Sequence, residues 1–183
     1  MPKVVCRILD LGGHPQFWRN IGRDFLADRH CQITLYNVHP SELAQVAAAD
    51  TCLMSSVAGD ACKSDFDNDA FDLVHSNSTI EHVGDWARTL LFAEQVRRLA
   101  PAYFVQTPNF WFPVEPHCGV PFWHWFPEPL RVSLLWRGRR GHFARAATVS
   151  EAVSTIQEVR LLDKRLLSVL FPDGAIVEER FAG

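Results

Sequence analysis

The sequence lacks the features of a membrane span, a disulfide framework or a nucleic-acid-binding surface. It has no run of about 18 uninterrupted apolar residues, so no transmembrane helix is predicted. The five cysteines are scattered without CxxC spacing, which argues against structural zinc and against paired disulfides. The formal net charge of −3 offers no basic surface to phosphate backbones. We therefore predict a soluble, cytoplasmic protein with no nucleic-acid partner, no integral membrane segment and no bound metal.

Short apolar runs alternate with amphipathic stretches over the first hundred residues. This alternation is typical of βαβ units around a parallel sheet. The predicted fold class is α/β, a Rossmann-like, doubly wound and mostly parallel sheet with helices on both faces. The predicted strands cover residues 4–9, 32–36, 52–57, 71–75 and 103–106, and the predicted helices cover 17–26, 41–49 and 86–99.

The composition changes after Thr107. Six prolines between Pro108 and Pro129 exclude a regular helix or a central strand there. We interpret residues of about 107–150 as an aromatic, proline-rich cap inserted after the fifth strand of a single domain that covers residues 1–183. A helix over Asp163–Phe171, with Asp163 as its N-cap, and a last strand over Ala175–Phe181 are predicted to follow.

Four polar residues fall at or just after the ends of predicted strands. They are Asp10, Asn37, Asp60 and Asn77. The carboxyl ends of parallel strands share one edge of the sheet, where ligands bind in open α/β folds. Gly12 and Gly13 lie in the first strand-to-helix turn, where a backbone without side chains can approach a ligand closely. These positions predict one binding site at that edge.

Four segments resemble, in chain order, the motifs of the class I S-adenosylmethionine-dependent methyltransferases. They are Leu9–Gly13, Asn37, Gly59–Ala61 and Phe71–Val83. The chain is most similar to the bacterial branch called methyltransferase type 11, and Phe71–Val83 is the most specific segment. The resemblance implies a methyltransferase with S-adenosylmethionine as its cofactor.

The resemblance also implies roles for individual residues around the cofactor. Gly12 and Gly13 would lie at its methionine part, and Asp10 would belong to the same cofactor-binding set. Asn37 would face the ribose hydroxyls, where the family more often has Asp or Glu. Asp60 would accept a hydrogen bond from the adenine amino group, with the Ala61 N–H at the ring and Asn77 near the sulfonium. The sequence departs from the family pattern at His14, where a third glycine is common, and in showing only one final strand.

The methyl acceptor is expected between the sheet edge and the cap. His82 is the candidate catalytic base, and an ordering role in its loop is equally compatible with its position. Trp111, His117 and His124 are the candidate acceptor-binding residues, since interleaved aromatic and histidine side chains can enclose a small molecule. The aromatic residues could instead form a small core, or Phe122–Phe126 could enter a membrane surface.

The function predicted from these features is methyl transfer to a small, hydrophobic acceptor at O, N or S. Two alternatives stay open, a non-catalytic Rossmann-like module that has lost cofactor binding and a nicotinamide-dependent oxidoreductase. The first turn lacks the G-x-G-x-x-G spacing of a dinucleotide-binding site. A single final strand would leave a sheet edge open, through which the chain could form a homodimer.

Overall fold

A computed structural model describes residues 5–46 and 50–179, and the chain divides between Thr107 and Pro108 into two compact units. Over its described residues, the first unit contains five strands: β1 (Cys6–Leu11), β2 (Cys31–Asn37), β3 (Met54–Ala58), β4 (Leu73–Asn77) and β5 (Tyr103–Gln106). They form one sheet in the order β3-β2-β1-β4-β5, and all four pairings are parallel. The predicted doubly wound Rossmann-like sheet is confirmed.

Helices cover the two faces of this sheet in the pattern that a reversal of strand order requires. The helices α1 (Pro15–Ile21), α2 (Arg23–Asp28) and α3 (Pro40–Leu43) follow strands that proceed toward one edge, whereas α4 (Trp86–Leu99) connects β4 to β5 toward the other edge. Right-handed crossovers in opposite directions place α4 on the face opposite α1–α3. Strand residues Ile8, Ile33, Leu35 and Met54 pack with Trp18, Leu26 and Leu43 of the helices.

Several boundaries differ from the prediction by two residues or by one turn. The helix predicted over residues 17–26 is two helices, because Gly22 lies between α1 and α2 with φ 103°, a conformation that side-chain-bearing residues avoid. α3 ends at Leu43 instead of continuing to Ala49, and residues 47–49 lie outside the described part. α4 and β5 have the predicted bounds.

Between residues 108 and 179, the second unit contains three α-helices: α5 (Glu128–Arg137), α6 (Val149–Gln157) and α7 (Lys164–Leu170). This unit has its own hydrophobic core, which consists of Cys118, Trp123, Leu135, Ala146, Ala152 and Ile156. The proline-rich stretch before α5 has no regular helix or strand apart from a 3-10 turn at Trp123–Trp125, as predicted. α7 follows its predicted N-cap, Asp163, whose side chain accepts a hydrogen bond from the Leu166 N–H at 2.9 Å. α5 and α6 were not predicted. A single domain over residues 1–183 stays a prediction.

The predicted last strand is wrong over its described part. Residues 175–179 form no strand, and Val177 is 86% exposed. Glu178 pairs instead with Lys164 of α7 at 3.3 Å, which keeps this segment beside a helix. β5 consequently has β4 as its one neighbour among the described strands, so pairing of a second chain at this edge stays a prediction. No helix in the described ranges combines the length and apolar character needed to cross a bilayer.

Candidate functional site

The loop after β1 is fixed in a conformation that only glycine fits. Gly12 has φ 74°, and its N–H donates to the carbonyl of Tyr36 at 2.8 Å. A Cβ atom at Gly12 would collide with the side chain of Thr79, whose hydroxyl donates to the Leu11 carbonyl at 3.1 Å. A Cβ atom at Gly13 would similarly meet the carboxylate of Asp10. The loop therefore lies close against β2 and against the turn after β4.

Asp10 anchors this loop from within the core. The residue is 2% exposed, and both carboxylate oxygens accept hydrogen bonds, Oδ2 from the indole N–H of Trp18 at 2.6 Å and Oδ1 from Nδ1 of His75 at 2.7 Å. The Gly13 N–H donates to the Asp10 carbonyl at 3.2 Å. Asp10 thus supports the glycine turn, in which Gly13 is buried and Gly12 is partly exposed.

Asn37, at the end of β2, lies directly beside the glycine loop. Its amide group donates to the Gly13 carbonyl at 3.3 Å and to the carboxylate of Glu42 at 2.7 Å, and its amide oxygen accepts from the His39 N–H at 2.9 Å. The sequence analysis missed Glu42, which is five residues further along and in the first turn of α3. Asn37 and Glu42 together form a hydrogen-bonded polar pair at the end of β2.

His14, the departure from the family glycine pattern, is the N-cap residue of α1. Its Nδ1 accepts from the Gln16 N–H at 3.2 Å, so Nε2 carries the proton and donates to the Gln45 side chain at 3.1 Å. Both ring nitrogens are thereby occupied in local structure. The imidazole of His14 therefore caps the N-terminus of α1.

Asp60, just after β3, forms an ion pair with Arg88 of α4. Both oxygens lie 2.9 Å from Nη2 of Arg88, and Oδ1 also accepts from the Cys62 N–H. Partial burial raises the pKa of Asp60, but the hydrogen bonds from Cys62 and Arg88 outweigh burial and lower it overall. Asp60 is therefore an anion at neutral pH. Its side chain stays 42% exposed, and the neighbouring Ala61 is partly exposed, so both can be reached by a ligand.

The turn after β4 brings Asn77 and His82 to the same edge. Asn77 is partly buried at the strand end, and its carbonyl accepts from the Thr79 hydroxyl at 3.3 Å. His82 is exposed in the 3-10 turn Ile80–His82. The adjacent Glu81 is fully buried and accepts from the Thr107 hydroxyl at 2.9 Å, which secures the turn to the end of β5.

The candidate acceptor residues of the second unit fall into two groups. Trp111 is 63% exposed, and its ring contacts Phe110 and Trp125. His124 is buried, and its Nε2 lies 2.7 Å from the carbonyl of Phe110, so it stabilises this aromatic cluster from beneath.

His117 belongs to the other group, a buried acidic cluster. Its Nδ1 lies 2.7 Å from Oε1 of Glu115, whose Oε2 accepts from the Cys118 N–H at 2.6 Å. Burial raises the pKa of Glu115, but these hydrogen bonds outweigh it and bring the pKa to about 2. Burial also raises the pKa of the Cys118 thiol to about 12, so this cysteine is not a nucleophile at neutral pH.

Comparison with known proteins gives a family match and a fold match. Residues 20–102, a little under half of the chain, match the family described as methyltransferase domain. The crystal structure of MccD protein superposes with a TM-score of 0.55 at 11% identity and covers 92% of this chain and 62% of its own. No curated protein sequence matches the chain.

Two further solved structures match part of the chain. The PH0226 protein from Pyrococcus horikoshii OT3 has 16% identity and a TM-score of 0.48, with 60% of this chain and 49% of its own covered. The phosphoethanolamine N-methyltransferase 2 of Haemonchus contortus has 21% identity and a TM-score of 0.41, with 60% and 24% covered. This chain therefore spans less than two thirds of the length of each of these three structures.

The sequence match covers the chain from α1 to just before β5, and the parallel sheet in the order β3-β2-β1-β4-β5 agrees with it. Residues 20–102 are thus similar to a methyltransferase domain, in agreement with the resemblance that the sequence motifs carry.

Proposed function

We propose that the chain binds S-adenosylmethionine along the edge formed by β3, β2, β1 and β4 and transfers its methyl group to a small, hydrophobic acceptor in the cytoplasm. The observation that carries the proposal is the glycine loop, in which Gly12 is partly exposed without a side chain and whose conformation is fixed by Tyr36 and Thr79. Four neighbouring strands at about 4.8 Å spacing span about 14 Å, which suits an extended nucleoside joined to an amino acid.

The residues around this edge fit the groups of the cofactor. Gly12 and Gly13 would face its methionine part, with Asp10 as the support beneath them. The Asn37 and Glu42 pair would face the ribose hydroxyls, Asp60 and Ala61 the adenine, and Asn77 the sulfonium. When bound, S-adenosylmethionine supplies an electrophilic methyl group on a positively charged sulfur.

The chain's own residues would then align the acceptor and exclude water, which is most of what methyl transfer requires. Where the methyl acceptor must lose a proton, His82 would take that proton. His82 is exposed on the turn after β4, so an acceptor can reach its imidazole. Trp111, His117 and His124 stay our candidates for the acceptor site. Trp111 offers an exposed ring for stacking, and His124 orders the cluster beneath it.

Calorimetric titration of the full chain with S-adenosylhomocysteine tests the cofactor site, with NAD⁺ as the second ligand. We expect micromolar binding of S-adenosylhomocysteine and none of NAD⁺. Binding of NAD⁺ alone would favour an oxidoreductase, and binding of neither by folded protein would favour the non-catalytic module.

The variants Asp60→Ala and Arg88→Ala separate a direct role of Asp60 from its ion pair. Asp60→Ala should weaken S-adenosylhomocysteine binding by about tenfold or more, since it removes the adenine acceptor. Arg88→Ala removes the same ion pair but keeps the carboxylate, so its affinity should stay within about threefold. Equal losses in both variants would show that the ion pair, and not the acceptor, matters.

A further inference from the structure

Exposed aromatic side chains are concentrated in the loops before α5. We call them the aromatic patch, which consists of Trp111, Phe112, Phe122, Trp125 and Phe126. The ring centroid of Trp125 lies 5.0 Å from that of Phe122 and 6.2 Å from that of Trp111. Soluble monomers rarely expose contiguous apolar patches, and those that occur mark interaction sites. The patch is therefore a candidate surface for a partner.

The backbone presents the patch outward. Phe122 has φ 60°, a left-handed conformation that bulky residues avoid, and the residue is 48% exposed. Its N–H donates to the Pro113 carbonyl at 2.6 Å, which holds Phe122 beside the segment that carries Phe112. The indole N–H of Trp125 donates to the Phe110 carbonyl at 2.9 Å. The polar atom of this ring is thus satisfied within the protein, and its exposed part is apolar.

The charges that accompany the patch are mostly positive. Residues 108–145 contain five arginines and two glutamates, of which Glu115 is buried. The other, Glu128, lies at the opposite end of α5 from Arg137. Arg139 and Arg145 are exposed, and their Nε atoms donate to the uncharged carbonyls of Gly141 and Trp136. These contacts hold the arginine side chains without neutralising their charge.

Contacts place the arginine loop, defined as residues 137–145, beside the segment that leads into the patch. The His142 N–H donates to the Cys118 carbonyl at 2.9 Å. The Gly141 backbone lies so close to Cys118 and Val120 that a Cβ atom there would collide with both. Val120 precedes Phe122 by two residues. The arginine loop and the aromatic patch are therefore neighbours within the second unit.

We propose that the aromatic patch and the arginine loop together form a docking surface for a lipid bilayer that carries anionic head groups. Trp and Phe rings are favoured at the boundary between head groups and acyl chains, and arginines are attracted to anionic lipids at the same surface. A fluid bilayer adapts to rings that project from irregular loops, whereas a protein partner would need a complementary shape. This surface does not depend on the proposed cofactor site.

Sedimentation of the full chain with lipid vesicles tests the surface. We expect vesicles of phosphatidylcholine with about 30% phosphatidylserine to bind the chain at least about tenfold more tightly than vesicles of phosphatidylcholine alone. Absence of the chain from the pellet with the mixed vesicles overturns the proposal. Equal binding to vesicles of both compositions overturns it as well.

One pair of variants tests the aromatic patch. Phe122→Asn removes an exposed ring and should fold, because asparagine tolerates the left-handed conformation. It should weaken binding to the mixed vesicles by about fivefold or more. Phe25→Asn removes a ring of the first unit that is 53% exposed, and it should bind like the wild type. Wild-type affinity of Phe122→Asn overturns the proposal.

A second pair of variants tests the arginine loop. Arg137→Gln combined with Arg139→Gln should weaken binding to the mixed vesicles by about tenfold or more. Arg29→Gln combined with Arg97→Gln changes the net charge equally at exposed positions of the first unit and should keep the affinity. Equal losses in the two double variants would show that net charge alone attracts the vesicles, and they overturn the proposal.

Discussion

The Nδ1 atom of His75 lies 2.7 Å from Oδ1 of Asp10, and both residues are almost completely buried within the sheet. The other oxygen of the same carboxylate holds the indole N–H of Trp18. One acidic side chain of β1 therefore joins β4 and α1 directly beneath the glycine loop. This arrangement makes Asp10 a determinant of stability as well as of loop position.

Asp10→Ala should lower the free energy of unfolding by about 3 kcal/mol. The substitution leaves the donors of His75 and Trp18 buried without an acceptor, and each such group costs about 1–3 kcal/mol. Urea-induced unfolding measures the loss. The exposed Asp67 provides a matched control, since Asp67→Ala should change stability by no more than about 0.5 kcal/mol. Equal effects of the two substitutions would contradict a supporting role for Asp10.

Gly12→Ala should be more destabilising than Gly22→Ala. Both glycines have positive φ, but a Cβ atom at Gly22 would meet nothing within 4 Å, whereas one at Gly12 would collide with Thr79. Gly22→Ala therefore reports the conformational cost alone, about 1 kcal/mol, and Gly12→Ala adds a steric cost. Unfolding in urea gives both values. Only Gly12→Ala should also weaken S-adenosylhomocysteine binding, and equal losses of stability would show that Thr79 yields without cost.

The sequence predicted features that depend on one helix or strand, whereas it did not predict contacts between side chains of different elements. The alternation of apolar runs and helical patterns correctly predicted the sheet, and α4 and β5 were predicted with their full bounds. Asp10 illustrates a boundary effect. β1 continues two residues beyond its predicted end, so Asp10 has the same parity as Ile8 and points to the core instead of the rim.

The pairings of Asn37 with Glu42 and of Asp60 with Arg88 could not be predicted in the same way. Each joins side chains of two elements, and only the folded arrangement shows which polar groups meet. The last strand was predicted from its apolar residues alone. Strand formation also needs a neighbouring strand to pair with, and residues 175–179 pair with none in the described part.

A charge exchange tests the pair at the end of β2. Asn37→Asp should weaken S-adenosylhomocysteine binding by about tenfold, because it places two carboxylates in contact where an amide now donates to Glu42 at 2.7 Å. The double substitution Asn37→Asp with Glu42→Gln restores one donor and one acid, and it should recover most of the affinity. Calorimetry compares the three proteins. Unchanged affinity in all of them would place the ribose elsewhere.

The Glu115 cluster predicts acid sensitivity in the second unit. The pKa of Glu115 is lowered from 4.5 to about 2, so its ionised form stabilises the folded state above about pH 4.5. That contribution, about 3 kcal/mol at most, is lost as the pH falls from 4.5 toward 2. Glu115→Gln should be less stable at pH 7 and should show a flatter dependence over this range. Urea unfolding at several pH values measures this, with the exposed Glu94→Gln as the control that should follow the wild-type curve.

The central position of β1 sets the order in which the sheet can be completed during synthesis. β1 pairs with β2 in residues that lie about 25 apart, but its other edge pairs with β4, where Ile8 faces Leu73 after a separation of 65 residues. At about 5–20 residues per second, the ribosome needs about 3–13 s to supply that partner. During this time an apolar strand destined for the centre of the sheet has one open edge. Until β4 is synthesised, β1 can therefore pair only at the edge that faces β2.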